Sequence, residues 1–146
     1  MKLFDQTFKI KLKSNNDKRG YFIEIFKLNK INFKNKISQV NHSFIKNKIL
    51  KGWHYHKKQT QWNYLLKGKI KVFLIDNRKN SKTYKKTKSF IIDAKKERIA
   101  YFFPPNIGHA YFTYGKENHM IYGTSGYYNK KEEYKIKFNK NLIKIL

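Results

Sequence analysis

Apolar and polar residues alternate along most of this chain or gather in short blocks, and each block ends in a polar or turn-forming stretch. Alternation with a period of two puts one set of side chains on each face of an extended strand, whereas a helix repeats its apolar positions every three or four residues. The pattern predicts strands at Phe8–Leu12, Gly20–Phe26, Ile49–His54, Trp62–Leu66, Lys69–Asp76, Ser89–Ile92, Arg98–Phe103, Ala110–Tyr114, His119–Thr124 and Glu133–Phe138. Lys67-Gly68 reads as a tight hairpin turn, because glycine accepts the positive φ such a turn needs. Pro104-Pro105 closes the strand before it, since the ring removes a ladder donor. Asp76 to Tyr84 is a polar, turn-rich excursion, and the tail from Asn139 to Leu146 carries an apolar stripe that suits a last strand or a subunit contact. Many short strands without a long linker or an internal repeat predict one all-β domain over residues 1–146, an antiparallel sandwich or barrel.

A chain of 146 residues has room for a single hydrophobic core, and 12 Phe, 11 Tyr and 2 Trp can fill it. No stretch approaches the roughly 18 apolar residues of a membrane-spanning helix. The opening Met1-Lys2-Leu3-Phe4-Asp5 lacks the apolar run and cleavage site of a secretory signal, so the cytoplasm is the expected location. The absence of cysteine excludes disulfides, thiolate catalysis and cysteine-held metals.

Charge changes the picture less than its size suggests. The net charge is +25, from 34 basic and 9 acidic residues, which invites a nucleic-acid reading. Only Arg19, Arg78 and Arg98 are arginines, however, and arginine is the residue that grips bases and phosphates bidentately. Abundant Lys, Asn, Ile, Phe and Tyr fit A- and T-rich codons, with lysine spread over solvated faces. No nucleic-acid partner is expected. The positive field favours a small anion instead.

Five histidines are candidates for chemistry: His42, His54, His56, His109 and His119. His54 and His56, two apart on a strand, share a face. His109 opens a strand after Pro104-Pro105-Asn106-Ile107-Gly108 and can meet them across an interior. Three neutral imidazoles, with Gln61 as a weak fourth ligand, could hold a divalent metal. One imidazole titrating near working pH could instead take a proton from a carbon beside a carbonyl, with a tyrosine as acid on the other face. All three could also be ordinary hydrogen-bonded interior residues. Spacing alone leaves these readings open.

The residues resemble a known family. His54-x-His56, four residues, Gln61, six residues and Gly68 resemble the first cupin motif, with Gln where metal-binding cupins usually carry Glu. Pro104 to His109 resembles the second motif. A closer resemblance is to the dTDP-4-dehydrorhamnose 3,5-epimerase family, a metal-free branch of that barrel. Its D-x-R-G-x-F-x-E is matched by Asp17-Lys18-Arg19-Gly20-Tyr21-Phe22-Ile23-Glu24. Its Q-x-N-x-S and R-G-L-H are matched, with the same separation, by Gln39-Val40-Asn41-His42-Ser43 and Lys51-Gly52-Trp53-His54. Ile75-Asp76-Asn77-Arg78 to Ser81 is similar to V-D-L-R-x-x-S, and Pro104 to Tyr111 to P-x-G-F-A-H-G-F. Tyr122-Gly123-Thr124-Ser125-Gly126-Tyr127-Tyr128 with Glu133 resembles the Y-x-x-T-x-Y-Y…E block.

That resemblance implies a cupin-type jelly-roll barrel, a homodimer without metal or other cofactor, and a nucleoside-diphosphate 4-keto sugar as substrate in cell-surface polysaccharide biosynthesis. It implies His54 as the base, Tyr122 as the acid and His109 as a pocket residue. Arg19, Glu24, Gln39, Asn41, Lys51, Gln61 and Tyr128 fall at substrate-binding positions. The chain departs from the pattern in three places: Lys51 replaces an arginine, Gln61 replaces a lysine, and the W-x-D-P segment whose Asp orients the base has no counterpart. His54-x-His56 also resembles the H-x-H of small sugar-nucleotide 3,4-ketoisomerases, in which both histidines move protons; there His56 would be catalytic too. A non-catalytic sugar-binding cupin and a metal-dependent cupin enzyme holding metal on His54, His56, Gln61 and His109 are the remaining alternatives.

Overall fold

The computed structural model describes residues 1–26 and 37–136, so the end of the last expected strand and the 139–146 tail lie outside the described residues. Its strands are β1 (Lys2–Phe4), β2 (Thr7–Lys11), β3 (Ser14–Asp17), β4 (Gly20–Ile23), β5 (Gln39–Lys46), β6 (Leu50–His56), β7 (Gln61–Lys67), β8 (Lys69–Asp76), β9 (Thr87–Asp93), β10 (Ile99–Phe103), β11 (Ile107–Thr113), β12 (Glu117–Thr124) and β13 (Glu133–Lys135). They form a six-stranded sheet in the order β1-β2-β10-β7-β12-β5 and a five-stranded sheet in the order β13-β6-β11-β8-β9. The β3–β4 hairpin stands as a pair of its own. Among the described residues no helix is long and apolar enough to cross a membrane.

From β5 onward consecutive strands fall in opposite sheets, except that β8 and β9 pair directly. This corrects two expectations. Lys67-Gly68 is not a hairpin turn: β7 and β8 lie in different sheets, and the dipeptide is the corner between them. Glycine is still required there, at φ +105°, because a Cβ would sit 2.3 Å from Asn118 Oδ1 and 2.7 Å from the Glu117 carbonyl. Nor is the barrel closed. Among the described residues β1 and β5 bound one sheet, β13 and β9 the other, and no ladder joins the two.

The strand reading holds for most elements within a few residues, but it missed β1, β3 and β5. In β5 the inward positions Gln39, Asn41 and Ser43 are polar, while Val40 and Phe44 face outward and are exposed. The usual apolar-in pattern is inverted because the inward side faces a cavity. In β7 and β10 alternation vanishes, since both faces are covered. Leu65, Tyr101 and Phe103 pack between the sheets with Ile70, Leu74 and Ile107, whereas Trp62, Ala100 and Phe102 pack outside against Phe8, Ile10 and Phe26. The polar excursion after β8 is anchored by the fully buried Asp76 carboxylate. It accepts from Arg78 at 2.8 Å and from the Ser81 hydroxyl at 2.7 Å, and those donors hold it well below the usual carboxylate range.

Candidate active site

Toward the Gln61 end of β7 the space between the sheets is not filled. Inward residues there turn from apolar to polar, and a cavity of about 670 Å³ opens. Ladder register builds its two walls. On the six-stranded sheet, Tyr101, Asn63, Tyr122 and Asn41 stand directly opposite one another across four strands. One row further on, Gln61, Thr124 and Gln39 repeat the arrangement. Facing them on the five-stranded sheet, His54 of β6 is paired with His109 of β11, and His56 follows on the same face.

The expected histidine cluster therefore exists. The ring centroids of His54 and His109 are 4.4 Å apart, those of His54 and His56 5.4 Å, and those of His56 and His109 5.7 Å. Gly52 makes the cluster possible. At φ +118° it takes up the register shift between His109 and Ala110, and a Cβ there would lie 2.6 Å from the His109 carbonyl.

Hydrogen bonds set two of the three tautomers. His56 Nδ1 lies 3.1 Å from the Glu132 carbonyl and His109 Nδ1 3.1 Å from the Ile107 carbonyl. A carbonyl only accepts, so both Nδ1 atoms carry protons and both Nε2 atoms are acceptors. Burial pushes the His54 pKa down, opposed by Glu133 and reinforced by His56 and Lys51. Burial also lowers His56, and it drives His109 well below the ordinary value, with His54 adding to the effect. The cluster is thus neutral near neutral pH. Tyr122 shifts the other way, raised first by burial and then by Glu133 and Tyr128, so it keeps its proton. A deprotonated base and a protonated acid on opposite walls of one cavity suit proton transfer. The three imidazoles also offer one nitrogen each within 4.8 Å of one another, a spacing from which they could hold a metal ion.

Most residues singled out from the sequence line this cavity. Gln39 accepts from the Tyr128 backbone N–H at 3.0 Å and donates to Asn41, which fixes the rim where the exposed Tyr128 sits. Lys51 Nζ donates to Ser43 Oγ at 3.1 Å at the mouth, and Gln61 Nε2 donates to Gln59 Oε1 at 3.1 Å inside. Arg19 and Glu24 are not on the cavity wall. Arg19 lies at the turn of the β3–β4 hairpin, paired with Asp17 at 2.7 Å, and Glu24 follows β4. His42 and His119 pair on the outer face at 3.0 Å, away from the cluster.

Sequence reasoning passed over Asn63 and assigned no role to Glu133. Asn63 had a signal, a single amide inside the apolar run Trp62-Asn63-Tyr64-Leu65-Leu66. Glu133 is placed by β13, whose ladder sets it opposite His56, and its charge acts on His54, His56 and Tyr122.

Known proteins are similar to this chain in sequence and fold. The family model for dTDP-4-dehydrorhamnose 3,5-epimerase matches residues 3–146. The chain is similar to the dTDP-4-dehydrorhamnose 3,5-epimerase of Sulfolobus tokodaii, with 27% identity and a TM-score of 0.84 over 94% of this chain and 81% of that one. The enzyme of the same description from Elizabethkingia anophelis shares 24% identity, with a TM-score of 0.86 over 95% and 79% of the two chains. A dTDP-6-deoxy-D-glucose-3,5-epimerase from Legionella pneumophila, in complex with dTDP-4-keto-L-rhamnose, shares 21% identity and a TM-score of 0.87 over 96% and 77%. No curated protein matches.

Proposed function

The chain belongs to the dTDP-4-dehydrorhamnose 3,5-epimerase family, and from that premise we propose that it is a sugar-nucleotide epimerase or isomerase of cell-surface polysaccharide biosynthesis. Its substrate is a nucleoside-diphosphate 4-keto sugar, held in a cupin-type jelly roll whose two sheets form the cavity walls. The observation that carries this reading is the placement of His54 on one wall of the cavity and Tyr122 on the other, where burial lowers the pKa of the first and raises that of the second.

In the proposed reaction the sugar lies between the walls with its ketone inside. His54 takes the proton from a carbon beside the ketone. The C–H electron pair becomes the C=C bond of an enolate, and the carbonyl π pair moves to oxygen. Tyr122 then gives its proton to the same carbon from the other face, inverting it, and solvent restores both side chains. Lys51 and the rim residues Gln39 and Tyr128 bind the nucleotide portion. Lysine keeps the charge of the family's arginine but not its bidentate fork.

Arg19 and Glu24 join this scheme through a second copy of the chain. The hairpin that carries Arg19, and that Glu24 directly follows, is a separate pair with Tyr21 and Phe22 exposed on it, an apolar surface suited to a contact with that second copy. A second reading has one observation in its favour: His56 stands beside His54 with an acceptor Nε2. In that reading both histidines move protons and the enzyme is a 3,4-ketoisomerase.

The test is solvent-deuterium incorporation into a panel of nucleoside-diphosphate 4-keto sugars, read by mass and followed by product stereochemistry. Wild type should exchange at a carbon flanking the ketone. Tyr122→Phe should retain exchange and lose inversion, because abstraction does not need the acid. Keto migration in place of inversion would favour the second reading, and no exchange with any substrate would refute both.

A further inference from the structure

An enolate forms at a useful rate only if something stabilises its oxygen, and the lysine that occupies the Gln61 position in the family is absent from this chain. The polar groups of the cavity differ in what they have left to give. Gln61 spends its amide on Gln59 at 3.1 Å. Asn41 directs Nδ2 at the Tyr122 carbonyl, at 3.5 Å, and the Tyr101 hydroxyl is turned to Met120 Sδ at 3.7 Å. Lys51 is engaged with Ser43 at the mouth. Asn63 is different. Only 4% of it is exposed, it lines the cavity, and its Nδ2 is buried without a hydrogen-bond partner among the described residues.

Leaving a buried amide donor unpaired is costly, and native proteins seldom do it without a use for the donor. Position supplies the use. Asn63 stands in the ladder between Tyr101 and Tyr122, directly beside the residue that acts as acid. We propose that Asn63 is a catalytic residue whose Nδ2–H donates to the ketone oxygen of the bound sugar and stabilises the enolate. This rests on the reading of the site as a proton-transfer centre and adds the group that the reading lacks. The amide gives up no proton: the C–H proton goes to His54, the electron pair ends on the oxygen, and the Asn63 bond shortens as charge arrives there.

The design is a neutral donor on a rigid strand in place of a charged one on a flexible stem. A neutral amide stabilises a full negative charge less than an ammonium does, but it needs no counter-charge in the free cavity, where a buried cation would be expensive.

The experiment measures kcat, KM and solvent-deuterium incorporation for wild type, Asn63→Ala, Asn63→Asp and His54→Asn, with a 4-keto sugar nucleotide that wild type turns over. Thermal unfolding shows that each variant is folded, and Asn63→Asp preserves the side-chain shape should the alanine variant not fold. Asn63→Ala should lower kcat by about 10²–10³-fold, the range for removing one oxyanion donor, with KM within about threefold. Asn63→Asp, which places an acceptor against the oxygen, should be at least as slow. A kcat within threefold of wild type in folded Asn63→Asp overturns the proposal and leaves the proton-transfer reading intact, provided His54→Asn is inactive. Full activity of His54→Asn, or no exchange by wild type on any substrate, overturns both together.

Discussion

His54 and His109 are cross-strand partners whose rings meet edge to face at 4.4 Å. Two imidazoles so close cannot both be cationic without strong repulsion, and burial already favours their neutral forms. Burial lowers His109 further than His54, reinforced by the neighbouring His54 and opposed by the Nδ1–H bond to the Ile107 carbonyl. The pair thus keeps His54 deprotonated, and Glu133 of β13 is the carboxylate that acts against this, raising the His54 pKa.

Activity should therefore persist into mild acid. His54 lies below the ordinary value of 6.5, so the acid limb of kcat/KM should fall below pH 6.5. Stability carries the same sign. Between the lowered folded values and 6.5 the unfolded chain binds protons that the native histidines refuse, so stability is lost as pH falls through that window and regained as it rises. Denaturant titrations from pH 8 to 5 should show the loss, and His109→Gln should flatten it. An acid limb above 6.5 would contradict the lowered pKa.

Gly52→Ala should destabilise the protein by about 2 kcal/mol, through a positive φ and a contact with the β11 backbone that no rotamer relieves. Because the same residue sets the register beside His54, kcat should fall even in the fraction that stays folded. Chemical denaturation and active-site titration measure the two effects separately.

Much of this site was legible in the chain. The i, i+2 parity of His54 and His56 placed both on one face, and the Pro104-Pro105 stop delivered His109 opposite them. What was not legible follows from the same physics. β5 was missed because its inward side chains serve a cavity, so the polarity signal that marks a strand is reversed in Gln39, Asn41 and Ser43. Lys67-Gly68 signals a positive φ, but a hairpin and a sheet-to-sheet corner need that backbone alike, and only the partner strands tell them apart. Asn63 stands out in the chain as a lone amide in an apolar run, but its meaning lies in a hydrogen bond it does not make, which only the packed structure reveals.

His56→Ala separates the two enzyme readings. In an epimerase His56 lines the pocket, and the change should cost less than about tenfold in kcat/KM. In a ketoisomerase it should be as damaging as the loss of His54, because both imidazoles carry protons. Steady-state rates on a single accepted substrate decide between them.

The most direct measurement is solvent-deuterium incorporation into a nucleoside-diphosphate 4-keto sugar by wild type and His54→Asn, alongside the binding of the same ligand. The substitution keeps a polar side chain of similar reach but removes the base, so exchange should disappear while affinity stays within about tenfold, the loss falling on the transition state. Exchange by His54→Asn at the wild-type rate would show that the proton is taken elsewhere and contradict the assignment of this cavity as the reaction centre.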